Sequence, residues 1–246
     1  MRLNTDGLII KEQAVGESDK LVTVLTADLG VIRAFVKRGR SIKSRMGAST
    51  GLLCYSHLTV FNNKGTYYID EATAAEVFFG LRSDIARTAL AQYFCDVCMH
   101  IGVEESSTPE VLRLMLNCLY FLADGKRTPE QIKPVLELRL MAYSGFSPDL
   151  TACCECGATD GDMLFDVRGG VLICGGCCGG NTVGRMRISA GVAAAMRHIA
   201  YCDFSKLFSF ALSDEGLKRL GEVTEQYLAV QTDRRFKTLD FYKSLL

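Results

Sequence analysis

The sequence predicts an α+β chain in two parts. Residues 1–80 read as an OB-type β-barrel, and residues 81–246 as an α-helical domain with a cysteine-rich loop inserted at about 150–181. Three observations predict this. Five short β-type runs crowd into the first 80 residues, apolar spacing turns helical from residue 81, and two Cys-x-x-Cys pairs interrupt the helical pattern. At 246 residues the chain is long enough to bury a substantial core.

The β-type runs are residues 7–13, 20–26, 31–37, 56–61 and 66–72, rich in Val, Ile, Leu, Thr and Tyr. Turn chemistry separates them: Val15-Gly16-Glu17, Ala27-Asp28-Leu29-Gly30 and Asn62-Asn63-Lys64-Gly65. Five strands with hairpin-like links suit a small closed barrel. An OB-fold is the first choice and an SH3-like barrel the second, because strand counting does not separate them. The third run alternates, with Ile32, Ala34 and Val36 on one face and Val31, Arg33, Phe35 and Lys37 on the other.

From Arg33 to Arg45 there are six basic residues, Arg33, Lys37, Arg38, Arg40, Lys43 and Arg45, and no acid. The whole chain is neutral, with 28 basic and 28 acidic residues, so this local cluster carries the nucleic-acid signal. Cations separated by Ser and Gly suit phosphate contacts. Phe35, Phe61, Tyr67 and Tyr68 would add a stacking platform. The same run also fits a solvated surface loop above a barrel filled by those aromatics, and both readings stand at this point.

Helical spacing begins with Leu81, Ile85, Leu90, Phe94, Val97 and Ile101. Ser107-Thr108-Pro109-Glu110 opens a second helix, a cap followed by Pro at the first helical position, and Asp124-Gly125 closes it. Thr128-Pro129-Glu130 opens a third, ended by Gly145 and Pro148. Cys95 and Cys98, inside the first helix, read as core thiols without a second half-site. Further on, Ser189 caps an Ala-rich helix over 192–201, and Ser213-Asp214-Glu215 caps a long one with Leu217, Leu220, Val223, Tyr227 and Val230 on one stripe. An apolar run over 207–212 lies between them. The basic tail Arg234-Arg235-Phe236-Lys237 has the charge to reach nucleic acid; equally, Phe236, Leu239, Phe241, Leu245 and Leu246 suit docking on the helices with a charged outer face, which is the favoured reading.

Cys153 and Cys156, then seventeen intervening residues, then Cys174 and Cys177, have the spacing of a four-thiolate structural zinc site. Neighbouring Cys154 and Cys178 leave the ligand register open. A full thiolate set has no open position for water, which argues against a catalytic metal. With no export signal at the N-terminus, eleven cysteines read as metal ligands plus free thiols in a reducing cytoplasm. No run is long and apolar enough for a membrane helix, and neither a phosphate-binding Gly-rich loop with Lys nor a nucleophile–base set is visible.

Several strings resemble a known family. Gly16-Glu17-Ser18-Asp19-Lys20 followed by Leu25-Thr26 and Leu29-Gly30 is similar to the opening of the bacterial RecO recombination mediators. Lys37-Arg38-Gly39-Arg40 with Ser44-Arg45 is similar to that family's basic loop. Glu137-Leu138-Arg139-Leu140, Gly145-Phe146-Ser147-Pro148, Cys153 to Cys156-Gly157, and Gly169-Gly170-Val171 before Cys174 resemble its approach to the zinc loop. The extra Cys154 and Cys178 depart from the pattern. The resemblance implies a non-catalytic, nucleoid-associated protein that binds single- and double-stranded DNA and anneals complementary strands. It implies partners as well: RecR, the acidic, apolar C-terminal tail of single-strand-binding protein (SSB), and indirectly RecA. The alternative is a zinc-stapled protein–protein adaptor without DNA affinity, which salt-dependent DNA binding would separate from the mediator.

Overall fold

The computed structural model describes residues 2–41, 44–101 and 109–246. The expected Ser107–Thr108 cap and Lys43 lie outside the described residues. Chain contacts form two compact units, Met1–Gly125 with Phe236–Leu246, and Lys126–Arg235.

The first unit holds β1 (Arg2–Val15), β2 (Asp19–Thr26), β3 (Val31–Val36), β4 (Cys54–Asn63) and β5 (Thr66–Val77). They close a barrel in the order β1-β2-β3-β5-β4, with β4 pairing back onto β1. This order, with its parallel β3–β5 pair, is OB-like, so the first choice of barrel holds. The alternation expected for the third strand is real. Ile32, Ala34 and Val36 enter the interior with Ile9, Val22, Val24, Leu58, Val60 and Ile69. Each Ile, Val or Leu among them contributes roughly 1.5–3 kcal/mol by leaving water.

Helices α1 (Ile85–Ile101), α2 (Pro109–Asp124) and α7 (Lys237–Lys243) complete this unit. The first helix starts later than its apolar spacing suggests. Phe79–Leu81 forms a 3-10 turn, and Asp84 Oδ1 then accepts from the amides of Ala86 and Arg87 at 2.8 and 3.1 Å. Cys95, Cys98 and Cys118 are buried, and burial pushes all three thiols up. The tail does dock, through a partly different set of residues. Phe236, Leu239 and Tyr242 are buried, whereas Phe241 and Leu246 are exposed. Phe236 meets the rings of Tyr93 and His100 edge-on at 5.7 and 5.9 Å, and Thr238 Oγ1 donates to Asp96 Oδ2 at 2.8 Å.

The second unit contains α3 (Pro129–Tyr143), β6 (Asp149–Cys153), β7 (Met163–Asp166), β8 (Val171–Cys174), the one-turn α4 (Gly175–Cys178), β9 (Arg185–Ile188), α5 (Ala190–Tyr201) and α6 (Asp214–Thr232). The serine caps behave as expected: Ser189 accepts from the Val192 amide and Ser213 from the Gly216 amide. The apolar 207–212 segment is not helical beyond the 3-10 turn Phe204–Lys206. Gln131 Nε2 donates to its carbonyls at Phe208 and Phe210, at 3.4 and 3.2 Å. Between α3 and α6 lies a buried polar network. Lys133 Nζ meets Glu137 Oε1 at 2.9 Å and Glu225 Oε2 at 3.1 Å, while Thr224 Oγ1 donates to Glu137 Oε2 at 2.6 Å.

Candidate nucleic-acid interface and four-cysteine centre

The basic segment begins on the outer face of β3. Arg33 and Lys37 are exposed, and Phe35 is half-buried. Phe35 pairs with Tyr68 across the parallel β3–β5 register, and Tyr68 pairs with Phe61 across β4–β5. The rings form one row, at 5.7 Å from Phe35 to Tyr68 and 6.1 Å from Tyr68 to Phe61. Lys37 Nζ sits 5.6 Å from the Tyr68 ring centroid, a cation–π contact at the end of the row. Tyr67, the other expected member, packs against the barrel interior instead. One step along a strand reverses the face, so adjacent tyrosines take opposite roles.

Beyond β3 the loop is fastened at several points. Arg38 has φ +52°, uncommon for a side-chain-bearing residue, and its amide donates to Asp19 Oδ1 at 2.7 Å. Gly39 is packed so closely that a Cβ would lie 2.9 Å from Lys20 Cγ and Val36 Cγ1. The Arg40 guanidinium donates to the carbonyls of Gly16 and Glu17 at 3.3 and 3.5 Å, tying the loop to the β1–β2 turn. Buried Lys20 donates to Gly47 O at 3.2 Å and meets Glu12 Oε2 at 3.5 Å; the same carboxylate accepts from the Leu52 amide at 3.1 Å. Arg38 and Arg45 are exposed. Among the described residues, Arg33, Lys37, Arg38 and Arg45 have no ion-pair partner, whereas Arg40 is occupied by backbone. Exposed cations on a segment that carries half-buried rings, with Lys37 beside Tyr68, suit a phosphate backbone and a stacked base. The anchors Asp19 and Lys20 were not singled out from sequence, although they lie within the Gly16–Lys20 string.

The second candidate is the cysteine loop. Its strands order as β6-β8-β7-β9, a small sheet that brings the ends of β6 and β8 together. Cys153 ends β6 and Cys174 ends β8; Cys156 and Cys177 follow on the next turns. Gly157, at φ +75°, allows the first turn to close, its amide donating to Cys153 O at 2.9 Å. The four sulfurs all lie within 4.8 Å of one another. A tetrahedron with metal–sulfur bonds of about 2.3 Å has edges of about 3.8 Å, and the Cys156–Cys174 sulfur separation is 3.6 Å. The donor set and its spacing therefore fit a tetrahedral metal ion.

The electrostatics agree. The Cys174 amide donates to Cys153 Sγ at 3.3 Å and the Cys177 amide to Cys174 Sγ at 3.4 Å. Backbone amides of Cys174, Cys156 and Glu155 draw the Cys153 thiol down to about 6. Sharing hydrogens with Cys156 and Cys174 holds Cys177 up. Four thiolates this close repel, and a cation relieves the repulsion. The two extra cysteines stand apart from the group. Buried Cys178 packs with Cys153, Leu164 and Ile173, and its thiol donates to Asn181 O at 2.9 Å; Cys154 is exposed.

Comparison with known proteins adds to this geometry. Residues 1–78 match the model described as "Recombination protein O N terminal", and residues 82–240 match "Recombination protein O C terminal". A protein named "DNA repair protein RecO" from Acetivibrio thermocellus is 35% identical over 244 residues, covering 99% of this chain and 97% of its own. Proteins of the same name from Dehalococcoides mccartyi and Alkaliphilus metalliredigens are 29% and 26% identical; the matches cover 98% and 100% of this chain, and 93% and 100% of theirs.

Proposed function

Because the chain belongs to the RecO family, we propose that it is a recombination mediator acting by binding and not by turnover. On this reading the 1–80 barrel binds single- and double-stranded DNA. The protein anneals complementary strands and, with RecR, helps RecA displace SSB, whose acidic C-terminal tail it also recognises. Arg33, Lys37, Arg38, Lys43 and Arg45 contact phosphates, Phe35 stacks on a base, and Arg40 adds charge while holding the loop. Charge neutralisation on two strands lowers their repulsion, which speeds annealing without a chemical step. One structural zinc, held by Cys153, Cys156, Cys174 and Cys177, fastens the 150–181 loop and leaves no ligand position open for chemistry.

The observation that carries the reading is the Phe35–Tyr68–Phe61 row with Lys37 at its end, on a segment whose Arg33, Arg38 and Arg45 are exposed. The test is a titration of labelled single- and double-stranded DNA at low and high salt, with annealing followed in parallel. Affinity should fall steeply with salt for every sequence, and annealing should need no nucleotide. Salt-independent binding, or annealing that requires ATP, would refute it.

A further inference from the structure

Exposed cations are not confined to the barrel. In the Lys126–Arg235 unit, Arg168, Arg234 and Arg235 line one cleft of about 420 Å³. Arg168 comes from the turn between β7 and β8, and the other two follow the end of α6. Gln231 Nε2 donates to the carbonyls of Val167 and Arg168, both at 3.0 Å, fastening that turn to the helix. All three arginines are exposed. Among the described residues neither Arg168 nor Arg235 has an ion-pair partner, and Asp233 is the cleft's one carboxylate.

A cation at a helix C-terminus commonly does no more than offset the macrodipole. That accounts for an arginine following α6, but not for Arg168, which belongs to a different element and is pinned there by Gln231. Neighbouring like charges disfavour the fold slightly, so their convergence suits an anion that neutralises them. Guanidinium forks match phosphate oxygens in pairs. The apolar lining is limited to Ala229 and Val230, too little to seat an acidic peptide's apolar side chains, and no aromatic ring is present to read a base.

We infer that this cleft is a second phosphate-binding site for the nucleic-acid backbone, carried by the second unit and independent of the barrel loop. The inference rests on the DNA-binding reading above. A chain with a phosphate site on each unit holds two strands, or two segments of one, at the same time.

The test compares the full-length protein with Arg168→Ala/Arg235→Ala and with Arg168→Lys/Arg235→Lys. Fluorescence anisotropy with a labelled single strand is read across a salt series, alongside annealing of complementary strands. The Ala pair should flatten the slope of log affinity against log salt by about 1.4, two contacts at about 0.7 each. It should also slow annealing several-fold, while the Lys pair keeps the wild-type slope. A wild-type slope and annealing rate in the Ala pair would overturn the inference while leaving the barrel reading intact. A Lys pair as weak as the Ala pair would overturn it too, because it would mark a structural role. So would a loss confined to an acidic polypeptide probe. Absence of salt-dependent DNA binding in the wild type would remove both readings.

Discussion

The loop cations differ in what else they do, and this yields a discriminating pair of variants. Lys37 and Arg38 are exposed and lack ion-pair partners among the described residues, so Lys37→Ala/Arg38→Ala removes two phosphate contacts and little else. For duplex DNA each lost contact flattens the salt slope by about 0.9, so the variant's slope should fall by about 1.8. Between about 50 and 200 mM salt, the variant should then lose roughly tenfold less affinity than wild type. Its melting temperature should hardly move, since exposed charges contribute little to folding. Arg40→Ala should behave differently. Its guanidinium donates to the carbonyls of Gly16 and Glu17 across the loop. Losing those bonds costs about 1 kcal/mol, a fall in Tm of roughly 2–4 °C for a domain of this size. Fluorescence anisotropy across a salt series and thermal unfolding by circular dichroism measure the two effects separately. The reasoning fails if the Lys37/Arg38 pair keeps the wild-type slope, or if Arg40→Ala weakens binding with no change in melting.

At the four-cysteine centre, Cys174→Ser should abolish binding of the proposed zinc, while Cys178→Ser should retain it, because the Cys178 thiol is committed to Asn181 O. Metal analysis of purified protein decides this, and full occupancy in Cys174→Ser would transfer the ligand role to Cys178. Glu137→Ala should destabilise the protein by about 3 kcal/mol in denaturant unfolding, since it strips the buried Lys133 of its closest carboxylate. The apolar pair Lys133→Met/Glu137→Leu should come out close to wild type, and equal losses in both would refute the network's role. Burial alone would push Lys133 down, but Glu137 and Glu225 outweigh it and hold its ammonium above the usual value of 10.5. A cation so raised contributes its stability in full below about pH 10.5 and loses it as pH climbs through the raised value. The denaturant midpoint should therefore drop in that alkaline window in wild type, and drop less in the apolar pair.

Much was legible in the sequence because it rests on local rules. Alternation over Val31–Val36 told the inner from the outer face of β3, since side chains in a strand reverse at every residue. Ser189 and Ser213 marked helix starts because their hydroxyls satisfy amides that nothing else in the helix reaches. The spacing of Cys153, Cys156, Cys174 and Cys177 named the candidate ligands, two sulfurs to each tight turn. What stayed hidden depends on distant partners. The sheet β6–β9 was missed because strands of four or five residues carry too few side chains to show a period. The late start of α1 was missed because Leu81 stands at helical spacing from Ile85 yet belongs to the 3-10 turn that precedes the helix.

By itself, the sequence determined which residues carry charge, sulfur and aromatic surface, and which period each segment follows. Only the tertiary structure decided which of them meet. Tyr68 joins Phe35 and Phe61 while Tyr67 turns inward, because the parallel β3–β5 register chooses between two neighbours of the same chemistry. Cys178 is withdrawn from the metal cluster by a core contact and a carbonyl. Phe236 returns to Tyr93 and His100, and Arg168 comes to line a cleft with Arg235. Local rules act over a few residues, whereas these pairings are set by where the chain can bury apolar surface and still satisfy its backbone.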